Sequence, residues 1–248
     1  MAADAIAREI EAHLAEAGDP QRAEQERQYL KSALRHFGAS VPATRKIAKA
    51  ALTARPQFGH DELVRAVEAL WARPVHECRA AAIELLDLRA GLLVPGDLDL
   101  IERMLRDAQT WALVDGLAAS VAGPLVERFP ELAARLDAWA ADEDFWLRRA
   151  ALLALLLPLR AGGGDFGRFG RYAAGMLAER EFFIRKAIGW VLRDTSRRRP
   201  DLLFEWLLPR AAAASGVTVR EAVKHLAPAQ REAILEAYRG GRARVAKT

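Results

Sequence analysis

A short pattern recurs at nearly constant spacing along the chain and constrains its fold more than any other feature. An apolar residue is followed four positions later by a charged residue and then by a small one, and the small residues are Ala80, Gly116, Ala150, Ala187 and Ala222. Successive copies are therefore 36, 34, 37 and 35 residues apart. A period of this length is typical of stacked helix pairs, because a single pair cannot bury its apolar face alone.

The rest of the sequence agrees with helices. Alternating Val, Ile and Thr runs are almost absent, and helical periodicity is broken mainly by Gly and Pro. We predict an all-α chain, an α–α superhelix (solenoid) of HEAT-like repeats whose second helices line a concave face. We expect helices at about 4–17, 22–36, 43–55, 60–72, 75–92, 97–108, 110–127, 130–140, 143–157, 166–178, 181–197, 200–213, 217–226 and 228–238.

Length and composition favour a globular protein with a sizeable core. The chain has 248 residues, 52% of them hydrophobic, and we expect one repeat domain over 1–240 followed by a basic, disordered tail at 241–248. The single cysteine, Cys78, suits a reducing compartment and is expected in the core. The N-terminus lacks a signal peptide pattern, and the apolar run at 150–159 contains Pro158 and is too short to span a bilayer. We therefore expect a cytoplasmic protein without membrane contact.

Charge is distributed unevenly along the chain. Residues 141–248 hold 20 Lys and Arg against 12 Asp and Glu, whereas residues 1–140 hold 17 against 21. A basic half of this kind is typical of a protein that binds a polyanion such as nucleic acid. A solvated, arginine-rich surface explains the same numbers, and charge alone leaves the two interpretations open.

The repeat pattern places an anion where several other copies carry a cation. Asp115 occupies the register where other copies carry Arg79, Arg149 and Lys186. Trp111 lies four residues before Asp115 and therefore on the same helix face. If this register faces a groove, the groove offers cations for phosphates together with an indole and a carboxylate. The alternative is a structural role in which Asp115 pairs with Arg149 one repeat away.

Several stretches resemble the bacterial DNA alkylation repair glycosylases of the AlkD type. They occur in family order over nearly the whole chain, and FWLRRAA and EFFIRKAIGWVLR are the most specific. They are DPQRAEQERQYLK (19–31), FGASVPATRK (37–46), LWARPVHECRAAAIELL (70–86), TWALVDG (110–116), PELAARLDAWAADEDFWLRRAAL (130–152), EFFIRKAIGWVLRD (181–194) and REAVKHL (220–226).

The resemblance implies an enzyme of base excision repair. Members of this family hold duplex DNA in a concave face and hydrolyse the N-glycosidic bond of cationic N3- and N7-alkylpurines, such as 3-methyladenine and 7-methylguanine, without flipping the base. The catalytic carboxylate of the family falls on Asp115, and its two lesion-contacting tryptophans fall on Trp111 and Trp190. The sequence departs from some relatives at Thr110, where they carry a further Trp.

The resemblance also implies DNA-binding residues. The phosphate-binding Arg falls on Arg149 and a Tyr near the DNA backbone falls on Tyr29, while Arg148, Lys186 and Arg193 complete the set of cations that we expect at the DNA. We expect a monomer whose partner is double-stranded DNA containing alkylated purines.

No cofactor or metal is expected. The five histidines show no ligand spacing, and one Cys cannot complete a ligand set. The other four tryptophans are assigned to packing; they are Trp71, Trp139, Trp146 and Trp206.

Two other classes of function stay open from the sequence. A catalytically silent HEAT-repeat protein that binds damaged or branched DNA would keep the groove cations without needing Asp115. A HEAT protein-interaction scaffold would not need the basic second half.

Overall fold

All regular structure in the described part of the chain is helical. The computed structural model describes the backbone of residues 2–245 and the side chains of residues 4–241. Within these residues the only strand-like feature is an isolated backbone bridge between Arg35 and Val75. The all-α prediction is confirmed. The chain forms two compact units, Met1–Pro130 and Glu131–Thr248, and the expectation of a single repeat domain over 1–240 stays a prediction.

The first unit is built from helix pairs. Helix α1 packs on α3 and α4, α5 packs on α3 and α4, and a π-helical segment packs on α5 and α6. Its elements are α1 Ala2–Glu16, α2 Pro20–Leu30, α3 Val41–Thr53, α4 His60–Trp71, α5 His76–Leu88, a 3₁₀ turn Ala90–Leu92, α6 Asp97–Ala108, α7 Trp111–Asp115, the π-helical segment Gly116–Ala122 and α8 Gly123–Arg128.

The second unit is organised around α13, which packs against α10, α11, α12, α14 and α15. A 3₁₀ turn at Pro130–Leu132 precedes the unit's first helix. The helices are α9 Ala133–Ala140, α10 Phe145–Leu153, α11 Leu156–Arg160, α12 Phe166–Met176, α13 Phe182–Ser196, α14 Pro200–Leu207, α15 Gly216–Ala222 and α16 Pro228–Val245, with 3₁₀ turns at Leu208–Arg210 and Val223–His225.

The five copies of the sequence pattern fall at matching places in the fold. Each copy lies at the start of α5, α7, α10, α13 or α15. The small residues Ala150, Ala187 and Ala222 are completely buried, which lets neighbouring helices approach each other. The repeat predicted from spacing is therefore the structural repeat.

Proline explains one departure from the predicted helices. We expected one helix at 143–157, but α10 ends at Leu153 and α11 begins at Leu156. Pro158 has no N–H for the carbonyl of Ala154, and its ring crowds that carbonyl, so the helix cannot continue through this point.

A tertiary contact explains a second departure. The helix predicted at 22–36 ends at Leu30, and Lys31 adopts a left-handed conformation with φ 50°. The backbone N–H groups of Phe37 and Gly38 donate instead to the Glu77 carboxylate on α5, at 2.6–3.0 Å. Glu77 is 2% exposed, so a buried carboxylate organises the loop that follows α2.

The predicted helix at 110–127 is continuous but not uniform. Thr110 precedes α7 with extended backbone, as expected of a cap, but its side chain makes no capping hydrogen bond. A π-helical segment starts directly after Asp115 and ends at Ala122, two residues before Pro124. Pro124 cannot donate to the carbonyl of Ser120, and a wider turn tolerates this missing donor.

The core contains several residues that the sequence assigned to packing. Cys78 is completely buried, and burial raises the pKa of its thiol to about 12, so it is an inert core residue as expected. Trp71 and Trp139 are also buried. None of the helices between residues 2 and 245 combines the length and apolar character needed to cross a bilayer.

The structure describes only part of the predicted tail at 241–248. Helix α16 runs to Val245, so the backbone of the first five tail residues is helical. Residues 246–248 and the side chains of 242–248 lie outside the described residues, and the expectation of a disordered tail stays a prediction.

Close packing of α13 on α15 gives a stability prediction. A Cβ built on Gly189 would lie 2.8 Å from the Glu221 Cβ and 3.1 Å from the Thr218 carbonyl oxygen. We expect Gly189→Ala to lower the free energy of unfolding by about 1–3 kcal/mol, because one of the two helices must shift. Denaturant unfolding followed by circular dichroism measures this.

The matched control is Gly175→Ala in α12, where a Cβ meets nothing within 4 Å. This change should raise the free energy of unfolding by about 0.5–1 kcal/mol, since Ala loses less backbone entropy in a helix. Equal effects of the two substitutions would contradict the tight α13–α15 contact.

Candidate functional site

In the first unit, the structure brings together three of the predicted site residues. Trp111 is the first residue of α7 and Asp115 the last, so they lie one turn apart on one face. Both are half-buried. Tyr29, near the end of α2, meets the Trp111 ring edge-on, with ring centroids 5.8 Å apart and planes at 90°. The result is an aromatic corner beside a carboxylate.

Tyr29 is the most accessible part of this corner. It is 73% exposed, unusual for a large ring that also contacts another aromatic residue. Edge-to-face contacts of this kind contribute about 0.5–1.5 kcal/mol beyond buried area, enough to orient the indole. Trp111 therefore has a defined ring position, while the Tyr29 ring stays open to solvent or to a ligand.

In the second unit, Trp190 is oriented by a hydrogen bond. Its indole N–H donates to Asp194 Oδ2, one turn further along α13, at 3.2 Å. Asp194 is 5% exposed and also accepts hydrogen bonds from Arg160 at 2.8 Å and from Arg193 at 3.1 Å. Buried and triply bonded, this carboxylate fixes the edge of the half-buried Trp190 ring.

Next to Trp190, three cations meet at one carboxylate. Glu221 on α15 accepts from Lys186 at 2.7 Å and from Arg193 at 2.8 Å, and Lys224 lies 3.0 Å away. Burial alone raises the pKa of the Glu221 carboxyl, but hydrogen bonds and charges of Lys186 and Lys224 outweigh it and lower the pKa to about 2. Glu221 is therefore ionised at neutral pH and holds the cations in place.

In this cluster, two consecutive copies of the sequence pattern meet through their charged residues. Lys186 and Glu221 occupy the same position in consecutive copies of the pattern, and their side chains touch. Lys186 remains 42% exposed at its side chain, so its ammonium group is accessible as well as paired.

Arg148 and Arg149 on α10 have internal partners. Arg148 binds the Glu179 carboxylate through two nitrogens, both at 3.0 Å, and donates to the carbonyls of Asp142 and Glu143. Arg149 is 3% exposed, donates to the Phe183 carbonyl and lies 5.9 Å from the centre of the Phe183 ring. Their predicted contacts with DNA stay predictions.

Sequence reasoning missed three residues of the second-unit site: Asp194, Glu221 and Lys224. Signals for two of them were present. Asp194 lies four residues after Trp190, and Glu221 lies one repeat after Lys186. Lys224 follows Glu221 by three residues, but α15 ends at Ala222 and a 3₁₀ turn follows, so its position depends on that turn.

The other tryptophans pack as expected. Trp146 contacts Phe145 and Phe183, with centroids at 4.4 and 5.1 Å, and Trp206 packs against Phe166 and Phe169. The Trp71 indole donates to Asp107 and carries the Arg79 guanidinium over its ring.

Among the side chains of residues 4–241, one group of three could hold a metal ion: Glu26, His36 and Glu77. It joins α2, the loop after α2 and α5, and spacing along the sequence did not indicate it. The expectation that the protein needs no metal stays a prediction.

Comparisons with known proteins agree with this architecture. A solved structure described as a predicted DNA alkylation repair enzyme from Enterococcus faecalis is 23% identical, with a TM-score of 0.76 over 85% of this chain and 97% of that one. The crystal structure of AlkD2 from Streptococcus mutans is 18% identical, with a TM-score of 0.59 over 83% and 98% of the two chains. No curated protein matches the sequence of this chain.

At these identities the solved structures show a shared fold. They support the helical-repeat prediction, and the family is shown by a separate match. The family model for the DNA alkylation repair enzyme matches residues 10–226, a span that includes the aromatic corner at Trp111 and the cation cluster around Glu221. The chain therefore belongs to the DNA alkylation repair enzyme family.

Proposed function

We propose that the protein is a monofunctional DNA glycosylase that removes cationic N3- and N7-alkylated purines from duplex DNA. Membership of the family implies alkylation repair with DNA as the partner. The observation that carries the finer proposal is the half-buried Asp115 carboxylate, one helical turn from Trp111, whose ring is oriented by Tyr29. An anion at this position repels a phosphate group, but it stabilises positive charge that develops on the sugar.

The chemistry needs no general acid when the base is already cationic. The bond between C1′ of the sugar and the purine nitrogen breaks, and its electron pair neutralises the alkylated purine. Positive charge then develops on the sugar as an oxocarbenium ion, as in glycoside hydrolysis. A water molecule adds at C1′ and loses one proton, leaving an abasic site. Asp115 stabilises the oxocarbenium ion and orients the water.

The two indoles have a complementary role. An indole face attracts a cation, so Trp111 and Trp190 each offer a surface for a positively charged nucleotide. Each ring is fixed beforehand, by Tyr29 in one case and by Asp194 in the other. Pre-oriented groups of this kind lower the reorganisation needed on binding. We propose that the base remains in the duplex rather than entering a pocket.

We propose Lys186 and Arg193 as the main phosphate-binding residues. Their side chains are 42% and 25% exposed, and Glu221 keeps both ordered. Arg148 and Arg149 stay in the proposed DNA-binding set, but their contacts with Glu179 and Phe183 favour a mainly structural contribution. We further propose a monomer that acts in the cytoplasm without a cofactor.

Replacing the carboxylate tests its catalytic role. Asp115→Asn should retain DNA affinity and lose about a hundredfold or more of the excision rate, because a preorganised electrostatic group contributes about 3–4 kcal/mol to the barrier. Single-turnover release of 7-methylguanine from a duplex oligonucleotide measures this. Asp61→Asn is the matched control, since the Asp61 side chain is 83% exposed on another helix. Near wild-type release by Asp115→Asn would remove Asp115 from the mechanism.

Two neighbouring positions of α13 separate phosphate binding from lesion binding. Lys186→Ala should weaken binding to all duplexes alike and make the salt slope about 0.9 shallower, as expected for one lost phosphate contact. Arg193 and Lys224 still satisfy Glu221 in this variant. Trp190→Ala should reduce excision far more than affinity for undamaged duplex. Binding measured from 50 to 200 mM salt, with parallel excision assays, distinguishes them; equal losses of plain duplex binding would contradict the separate roles.

The absence of a proposed general acid predicts which lesions are accepted. The protein should release 3-methyladenine and 7-methylguanine and leave neutral hypoxanthine and ethenoadenine in place, because a neutral base needs protonation before it leaves. Oligonucleotides that differ only in the lesion give the comparison under single-turnover conditions. Comparable release of hypoxanthine and 7-methylguanine would overturn the mechanism while leaving glycosylase activity itself intact.

A further inference from the structure

A buried histidine in the first unit has an unusual environment. His36 is 9% exposed, and among the described groups neither ring nitrogen finds a hydrogen-bond partner. The ring stacks on His76, with centroids 4.6 Å apart and planes within 7° of parallel. Buried polar atoms are bonded in the great majority of cases, so two unbonded nitrogens on one ring indicate a missing ligand.

Two carboxylates accompany this ring. One ligand atom each from Glu26, His36 and Glu77 lie within 4.8 Å of one another. Glu77 is held rigidly, since Oε1 accepts from the N–H groups of Phe37 and Gly38 and Oε2 accepts from Phe37. A carboxylate oxygen has more than one acceptor position, so these bonds orient Glu77 without exhausting it.

The ligand types suit a zinc-type ion, and the ligand atoms reach its coordination distances after a contraction. Ligand atoms around tetrahedral Zn²⁺ lie roughly 3.4 Å apart, given bonds of about 2.0–2.2 Å. The Glu26 side chain can move to shorten the 4.8 Å separation between ligand atoms, because it is 28% exposed and pairs with Arg22, one helical turn away. One imidazole with two carboxylates is a ligand set for zinc and related transition metals, whereas Ca²⁺ and Mg²⁺ prefer more oxygen ligands.

We propose that Glu26, His36 and Glu77 form a binding site for a zinc-type divalent transition metal, separate from the proposed glycosylase chemistry. The bound ion joins α2, the loop after it and the start of α5.

The site has a structural consequence for the helix that carries Tyr29. Glu26 and Tyr29 are three residues apart on α2 and therefore neighbours on its surface. A metal at Glu26 ties this end of α2 to α5, where Glu77 already holds the loop. The ion thus stabilises the support of the aromatic corner without touching it.

Zinc titration of the metal-stripped, full-length protein tests the proposal. Calorimetry should show one equivalent of Zn²⁺ bound, and thermal unfolding should shift to higher temperature with Zn²⁺, because an ion that binds only the folded state stabilises it. His36→Phe keeps the stacked ring and removes both nitrogens, so it should fold and bind Zn²⁺ at least about 100-fold more weakly. Ca²⁺ should give neither signal.

A second variant and two matched controls make the outcome decisive. Glu26→Gln changes a partly exposed residue that is not needed for the loop, so it should fold and also lose Zn²⁺ affinity. Glu24→Gln on the same helix and His13→Asn on the surface of α1 should bind like the unmodified protein. The proposal is overturned if the unmodified protein binds no Zn²⁺, or if His36→Phe and Glu26→Gln bind it as tightly as the controls do.

Discussion

Burial of one helix pair against the next is the constraint on which the rest of the structure depends. A single pair cannot bury its apolar face alone, and in the second unit the small residue of each sequence copy is completely buried. The approach of α13 to α15 is so close that a Cβ on Gly189 would lie 2.8 Å from the Glu221 Cβ. The same packing brings Lys186 and Glu221, the charged residues of two consecutive copies, into contact.

Sequence reasoning predicted the helices that follow from local periodicity and missed the features that depend on contacts between residues far apart in the chain. Helix α6 was placed at its observed bounds, and the five copies of the pattern fell at the starts of helices, because local periodicity and burial agree there. The break before Leu156 was readable from Pro158 but was overlooked. The end of α2 could not be predicted from its own residues. Glu77, some forty residues further along the chain, holds the loop after Leu30, and the sequence of 22–36 does not indicate that contact. The candidate site divides in the same way, since Trp111 and Asp115 share a helix, whereas Glu26, His36 and Glu77 come from three segments.

The charges of the second unit show how a cationic surface can be ordered before DNA arrives. Lys186, Arg193, Lys224 and Arg160 are bound by two carboxylates, Glu221 and Asp194, so four positive charges face two negative ones and the cluster keeps an excess of two positive charges. In the proposed complex a phosphate competes with Glu221 for Lys186, and this competition weakens binding. In return, the long side chains have already lost much of their rotamer freedom, and less entropy is lost when a phosphate binds.

The two indoles that we propose to contact the lesion are each oriented in advance, by different physical means. Trp111 is oriented by the edge of an exposed Tyr29 ring, a contact that depends on α2 staying in place. Trp190 is oriented by a hydrogen bond to a carboxylate on its own helix, which needs no second element. The first arrangement is therefore sensitive to anything that loosens α2, and Glu77 opposes that loosening by holding the loop directly after the helix. Glu77 has no contact with DNA in the proposed mechanism, but it supports the aromatic corner in which Asp115 is proposed to act.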